Sequence, residues 1–248
     1  MELVKIAGPL ILAFIMFSLG IGLTLENFKR VFYQPKDFFV GAFSQVILFP
    51  LVALCLILFI PISIELKVGL MLLAAAPGGV TTNIISKFAD GDVALSISLT
   101  AVISLLCFLT IPLIFTLTYP MITGQSLPFD YSISSIIVQI FLITTVPVIL
   151  GMIFKKIFPN FFARTERFFV NFSFILFLIF LFLAIYQELD SIVDYFAASG
   201  LITLILNIVV VIAAFLLCGI FNIEKAQKRT ILIETGLQNG TLAIVVTG

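Results

Sequence analysis

One acidic residue, Glu234, lies deep inside an apolar stretch of this chain. An isolated charge near the centre of a bilayer costs about 2.5–3.5 kcal/mol on insertion scales. No Lys or Arg lies deep in an apolar stretch to compensate for it. The carboxyl group must therefore be protonated, or it must be paired with a cation that arrives from solution.

Neighbouring apolar stretches carry uncharged side chains whose oxygen atoms could bind such a cation. Ser96 and Thr100 are four residues apart, so on a helix they would point in the same direction. Hydroxyl, amide and carboxylate oxygens are hard ligands, which suit a hard cation better than a transition metal. A structural role is the alternative, because Ser, Thr and Asn also hydrogen-bond between membrane helices. The residues that could join Glu234 as ligands are Gln45, Thr82, Asn83, Ser96, Thr100 and Gln238.

Two apolar stretches are interrupted by residues that disfavour a continuous helix. The first interruption is Pro77–Gly79, and the second lies between Gly236 and Gly240. Proline removes a backbone donor, and glycine weakens a helix by about 1 kcal/mol. Because irregular backbone is not tolerated against lipid, both breaks are expected to line protein or a water-filled cavity.

The surroundings of the two breaks correspond to one another. Gln45 precedes Gly78 by 33 residues, and Asn207 precedes Gln238 by 31, through the same order of features. Alternating crossings would make the two interrupted segments run in opposite directions. Oppositely oriented broken helices in corresponding halves indicate a transporter's site near the middle of the membrane.

The composition of the chain excludes several classes of function. It is 62% hydrophobic and 10% charged, with zero net charge, whereas soluble domains are about 45–50% apolar and about 25% charged. An integral membrane protein is therefore predicted, with no nucleic-acid surface. Histidine is absent and the three cysteines are far apart, so neither a catalytic triad nor a metal-binding cysteine motif is available. We expect no enzymatic activity.

Seven or eight membrane crossings can be placed by length and apolarity. Assigning alternate sides puts eleven Lys and Arg residues on one side and only Lys5 and Lys67 on the other. The positive-inside rule then places the N-terminus outside, in a multi-pass protein of the inner (plasma) membrane. The predicted crossings are residues 6–25, 38–60, 66–88, 93–118, 132–154, 168–187, 198–221 and an incomplete one at 230–248. The Phe-rich run at 168–186 is predicted to face lipid.

Several motifs along the whole chain resemble the bile acid:sodium symporter family. They are MFSLGIGLTL (16–25), QVILFP (45–50), PGGVTTN (77–83), GDVALSISLT (91–100) and EKAQKRTILIETGLQN (224–239). The resemblance implies an all-α, polytopic membrane fold with inverted repeats and two crossing broken helices. It also implies a panel domain (6–26 and 131–187) and a core domain (36–118 and 197–248).

The same resemblance implies two sodium sites and a substrate crevice. The first sodium site would be formed by Thr82, Asn83, Ser96, Thr100 and Glu234. The second would be formed by Gln45, Glu234 and Gln238, with the carbonyls of Thr235 and Leu237. The substrate would lie between panel and core, near Val80, Thr81 and Asn239. Val80 replaces a polar residue of bacterial relatives, so the substrate contacts are expected to differ.

The implied function is sodium-coupled symport, the import by alternating access of an organic anion. A bile acid is one expected class of substrate, and a small carboxylate such as pantoate or a 2-oxo acid is another. Residues 1–248 would form a single transporter unit that lacks its last core helix, because Gly248 falls inside the second broken helix. The chain is expected to be a monomer or a weak homo-oligomer. A proton-coupled carrier or cation/proton antiporter of related fold, and a truncated membrane protein without transport activity, remain alternatives.

Overall fold

The computed structural model describes residues 2–126, 132–189 and 192–247, and these residues form helices joined by short connections. The side chains described exclude those of residues 2–6, 80, 192, 195, 198, 246 and 247. Within this part of the chain there is no strand, only one isolated bridge. The helices are α1 (Glu2–Gly22), α2 (Leu25–Tyr33), α3 (Pro35–Phe59), α4 (Ile64–Ala75), α5 (Val80–Phe88), α6 (Val93–Thr123), α7 (Ile133–Ile157), α8 (Pro159–Gln187), α9 (Ile192–Ile220), α10 (Lys225–Gly236) and α11 (Gly240–Thr247).

The helices confirm the prediction of an all-α polytopic membrane protein. Five of them are long and apolar enough to cross a membrane, namely α3, α6, α7, α8 and the Ser199–Ile220 part of α9. The pair α1 and α2, bent by 69°, is at most a sixth span. The remaining predicted crossings, 66–88 and 230–248, are the interrupted segments. Their halves contain only 8 to 12 residues, and each half alone is too short to span a bilayer.

The two interruptions occur where the sequence predicts them, and they pair with each other. Gly78 and Gln238 form an antiparallel bridge, and the Asn239 N–H donates to the Pro77 carbonyl at 2.8 Å. These bonds satisfy backbone groups that the two breaks leave without intrahelical partners. The prediction of two crossing broken helices is therefore confirmed, and the breaks run antiparallel.

Helices α3 and α7 each contain one π turn, at Ser44–Leu48 and Phe141–Thr145. A proline follows each turn two residues later, Pro50 in α3 and Pro147 in α7. Proline cannot donate to the preceding turn and clashes with it, so a wider turn accommodates the ring within a continuous helix. The turns hold polar side chains in the interior, since Gln45 is only 2% exposed and Thr144 is fully buried.

Helix α1 packs closely along α7 through two glycines. A methyl group on Gly20 would collide with the carbonyl oxygen of Val148, and one on Gly151 would collide with that of Phe17. The two backbones can approach each other because neither residue has a side chain. The α1–α7 pair thus forms a tight unit, against which α8 also packs.

Polar contacts join helix α2, the loop at 89–92 and the first turns of α10 at one end of the bundle. Arg30 of α2 forms an ion pair with Asp92, which directly precedes α6 and caps its N-terminus. Gln227 also donates to the Asp92 carboxylate at 3.1 Å, and Arg229 donates to the carbonyls of Ala89 and Asp90 at 3.2 Å. Segments that carry much of the predicted cytoplasmic charge therefore share one end of the protein, called here the basic end. Which face of the membrane this end occupies stays a prediction.

Candidate functional site

Glu234 is fully buried and is surrounded by hydrogen-bond donors from three other helices. Thr82 donates to its Oε1 at 2.5 Å, and Ser96 makes a short hydrogen bond to the same atom. Thr100 lies 3.2 Å from both carboxylate oxygens. The Gln45 amide donates to Oε2 at 3.3 Å. Four of the six candidate ligands predicted from the sequence, Gln45, Thr82, Ser96 and Thr100, therefore meet at one carboxylate.

The interruptions in the helices place these side chains. Glu234 lies two residues before the end of α10 at Gly236, and Thr82 lies in the first turn of α5. Ser96 and Thr100 are one turn apart on α6, as predicted, and Gln45 comes from the π turn of α3. Because α4 ends at Ala75, α5 begins beside α10. Thr82 in the first turn of α5 therefore reaches Glu234.

No cationic side chain compensates for Glu234 in the described part of the structure. Its partners there are three hydroxyl groups and one amide. The ion pairs among the described residues are Lys29–Glu26, Arg30–Asp92 and Lys155–Glu166, and none of them includes Glu234. A buried carboxylate in this setting needs a proton or a cation from solution.

Asn83 completes the first predicted group of ligands. Its Oδ1 accepts a hydrogen bond from Ser96 at 2.8 Å, so the amide oxygen lies next to the hydroxyl that also reaches Glu234. Ser86, which the sequence reasoning missed, is fully buried and donates to Ser96 at 3.3 Å. Ser86 lies one helical turn after Thr82, and this spacing was the signal that could have identified it.

The second predicted group converges on Gly78. A methyl group at Gly78 would lie 2.5 Å from Glu234 Oε2 and 3.7 Å from Gln45 Oε1, so both oxygens face its Cα. The bridge to Gly78 brings Gln238 to the same place, and its amide donates to the Thr235 carbonyl at 3.0 Å. The predicted role of the Leu237 carbonyl stays a prediction.

The donor set fits a hard cation such as sodium. Gln45 Oε1 and Gln238 Oε1 are buried, and neither has a hydrogen-bond partner among the described residues. Leaving such an acceptor unsatisfied in the interior costs about 1–3 kcal/mol. A cation would satisfy both amide oxygens and compensate the carboxylate, and all the available ligands are oxygens, which sodium prefers.

A cavity of about 300 Å³ lies beside the two breaks. One wall comes from α1 and α8, and the other comes from Gly78, Gly79, Thr81, Ile84 and residues 238–241. Thr81 and Asn239, both predicted to contact substrate, line this cavity. The Asn239 side chain also caps α11, because its Oδ1 accepts from the Leu242 N–H at 3.1 Å. The side chain of Val80 lies outside the described part, so its predicted contact is untested.

The α8 wall corrects one prediction from the sequence. Phe174 and Phe177 belong to the run that was predicted to face lipid, yet both line the cavity. Helix α8 is exposed over most of its surface, and one narrow face turns toward the breaks. A uniformly apolar helix has no polar stripe to mark that face, although Asn171 on the same wall was a signal of it.

Asn207 has a role that its spacing did not reveal. Its amide donates to the Gly236 carbonyl at 2.6 Å and so satisfies one of the free carbonyls at the end of α10. The sequence identified Asn207 as the counterpart of Gln45. The structure shows that Gln45 contacts a carboxylate, whereas Asn207 supports the backbone at the other break.

Comparison with known proteins gives a family match and several similar chains. Residues 9–195 match the Sodium Bile acid symporter family. The chain is 26% identical over 239 residues to the probable sodium/metabolite cotransporter BASS2, chloroplastic, of Oryza sativa subsp. japonica, across 95% of this chain and 55% of that protein. It is 27% identical over 237 residues to the uncharacterized sodium-dependent transporter YocS of Bacillus subtilis, across 93% and 70% respectively. The P3 protein of Mus musculus is 27% identical over 229 residues, across 92% of this chain and 48% of that protein. The chain thus spans between 48% and 70% of the length of these relatives.

Proposed function

We propose that this chain, which belongs to the Sodium Bile acid symporter family, acts in sodium-coupled import of an organic anion across a membrane. The observation that carries the proposal is Glu234, a fully buried carboxylate whose described partners are all uncharged. Sodium would supply the missing positive charge. Without sodium, the charge of Glu234 would be uncompensated. The arrangement of the two breaks around Glu234 would therefore depend on whether the ion is bound.

We further propose that two sodium ions bind, one with each group of ligands. One charge crossing 100 mV is worth about 2.3 kcal/mol, and a tenfold gradient about 1.4 kcal/mol. Two sodium ions carrying a monoanion would therefore supply roughly 5 kcal/mol, enough for about thousandfold accumulation. A single sodium ion carried with a monoanion would move no net charge across the membrane. The sodium gradient alone would then supply only about 1.4 kcal/mol, enough for tenfold accumulation.

The substrate is proposed to bind in the cavity between α1, α8 and the breaks. Helices α5 and α11 begin at this cavity, and the N-termini of helices are partly positive and offer free N–H groups. An anionic group would therefore bind next to Thr81 and Asn239. In the proposed division, α1 and α8 belong to the panel and both breaks belong to the core, so relative movement of the two would change access to the substrate.

The volume of this cavity favours a small carboxylate over a steroid. Ligand pockets are commonly about 300–1,000 Å³, and about 300 Å³ lies at the lower end of that range. A 2-oxo acid or pantoate would fit such a space with its carboxylate at the helix N-termini. The apolar wall formed by Phe174 and Phe177 would then contact the hydrocarbon part of the substrate.

Uptake into proteoliposomes tests the proposal. Thermal-shift screening of small carboxylates and bile acids in sodium buffer would first identify a substrate. Accumulation of that substrate should then require an inward sodium gradient and should stop when choline replaces sodium. Uptake that is unchanged in choline would overturn the proposal. Uptake that depends on pH but not on sodium would instead support a proton-coupled carrier.

A further inference from the structure

Helix α6 carries a third hydroxyl group in line with the two that reach Glu234. Ser104 follows Ser96 and Thr100 at the same four-residue spacing, so the three side chains share one face of α6. Ser104 is 1% exposed, and its hydroxyl has no hydrogen-bond partner among the described residues. Several other buried helical hydroxyls of the described residues bond to the carbonyl four residues earlier, as Ser98 does to Ala94 at 2.7 Å. Ser104 does not.

The π turn of α7 adds further polar groups near Ser104. Cys107 Sγ lies 3.1 Å from the Ser104 carbonyl and 3.4 Å from the Thr144 hydroxyl. Thr145 donates to the Leu105 carbonyl at 3.1 Å. Polar groups of α6 and α7 therefore meet within one helical turn of Ser104 along α6, and Thr144 is fully buried among them.

A second cavity, of about 410 Å³, reaches the π turn of α7 at Ile143. It is lined by Ile111 and Thr116 of α6 and by Gln139 and Ile140 of α7. The carbonyl of Ile140 accepts the Thr144 hydroxyl at 2.6 Å, so Thr144 adjoins the cavity wall. Since α6 runs away from the basic end, the cavity lies on the opposite side of Glu234 from that end.

We propose that the cation reaches Glu234 from this second cavity by way of the Ser104 and Thr144 hydroxyls. This inference rests on the proposed sodium coupling. A dehydrated cation among apolar side chains has no compensation for its lost hydration. Four residues of helix rise about 6 Å, so successive hydroxyls on one face of α6 offer an oxygen at each step. Ser104 fits this role because its hydroxyl has no hydrogen-bond partner among the described residues. Thr144 donates its proton to the Ile140 carbonyl, and its oxygen lone pairs stay available to a cation.

The experiment compares the rate of sodium exchange with the equilibrium binding of sodium. Purified variants in proteoliposomes would be assayed for exchange of ²²Na⁺, and in detergent for the sodium-induced shift of the melting temperature. Ser104→Ala is paired with Ser98→Ala, the same change at a buried hydroxyl of the same helix that lies outside the line formed by Ser96, Thr100 and Ser104. Thr144→Val tests the second hydroxyl at nearly constant volume.

Ser104→Ala and Thr144→Val are expected to slow exchange about tenfold, the factor that corresponds to losing roughly 1.4 kcal/mol of stabilisation along the path. Their sodium-induced melting shift should equal that of the wild type, and Ser98→Ala should change neither quantity. Exchange in Ser104→Ala as fast as in Ser98→Ala would overturn the route. Loss of the melting shift in Ser104→Ala would also overturn it, because the hydroxyl would then be a ligand. A wild-type protein with no sodium-induced shift would instead refute the proposed function.

Discussion

Gly78→Ala should damage the sodium site, whereas the same change at Gly79 should not. A methyl group at Gly78 would lie 2.5 Å from Glu234 Oε2, so the carboxylate must move by about half an ångström or more. At Gly79 the nearest atom is Thr81 Oγ1 at 3.6 Å, an ordinary contact. Its backbone is extended, with φ at −114°, which any residue adopts. Gly79→Ala is thus a matched control in the same break.

The magnitude follows from the usual cost of overpacking, about 1–3 kcal/mol. If that cost falls on the sodium-bound state, the sodium concentration for half-maximal effect should rise about 5- to 150-fold. The assay is a sodium titration of the melting temperature, followed by sodium-dependent uptake. Gly79→Ala should stay within about twofold of the wild type. A Gly78→Ala protein with wild-type sodium affinity would refute the placement of Glu234 against the break, and so would equal damage from both variants.

Three further predictions concern charge and packing. Glu234→Gln should abolish the sodium-induced rise in melting temperature. In sodium-free buffer the variant should melt at or above the wild-type temperature, because a buried charge is gone. A variant that retains the sodium-induced rise would contradict this prediction. Gly151→Ala should lower the free energy of unfolding by about 1–3 kcal/mol, because the added methyl group collides with α1. Its sodium affinity should not change. The control Gly69→Ala, whose methyl group meets no atom within 4 Å, should not destabilise the protein. Asp92→Asn should lower the melting temperature, because the Asp92 carboxylate accepts hydrogen bonds from Arg30 and Gln227. The variant's sodium affinity should equal that of the wild type. A wild-type melting temperature would show that the ion pair does not stabilise the protein.

The sequence predicted the breaks and the charge at their centre because each leaves a strong local signal. Pro77 and the glycines cannot continue a helix favourably, and Glu234 stands out in an apolar stretch. The spacing of Ser96 and Thr100 placed both hydroxyls on one face, and the structure brings both to Glu234. These features depend on residue type and helical period, which can be read directly.

Features that depend on packing between helices could not be predicted in this way. The π turn at Gln45 and the one at Thr144 arise where a proline must be accommodated within a packed helix, and similar sequences form ordinary kinks. The contact of Arg30 in α2 with Asp92 at the start of α6 joins residues that are 62 positions apart. The face of α8 that lines the cavity has no amphipathic pattern, since lipid and cavity wall both favour phenylalanine. Such features follow from the tertiary arrangement.

Equilibrium binding of ²²Na⁺ to the purified chain tests the central claim most directly, that sodium compensates the charge of Glu234. The account predicts saturable binding that approaches two ions per chain, that unlabelled sodium displaces, and that potassium and choline do not. Absence of saturable binding, or binding that potassium displaces as well as sodium does, would contradict it.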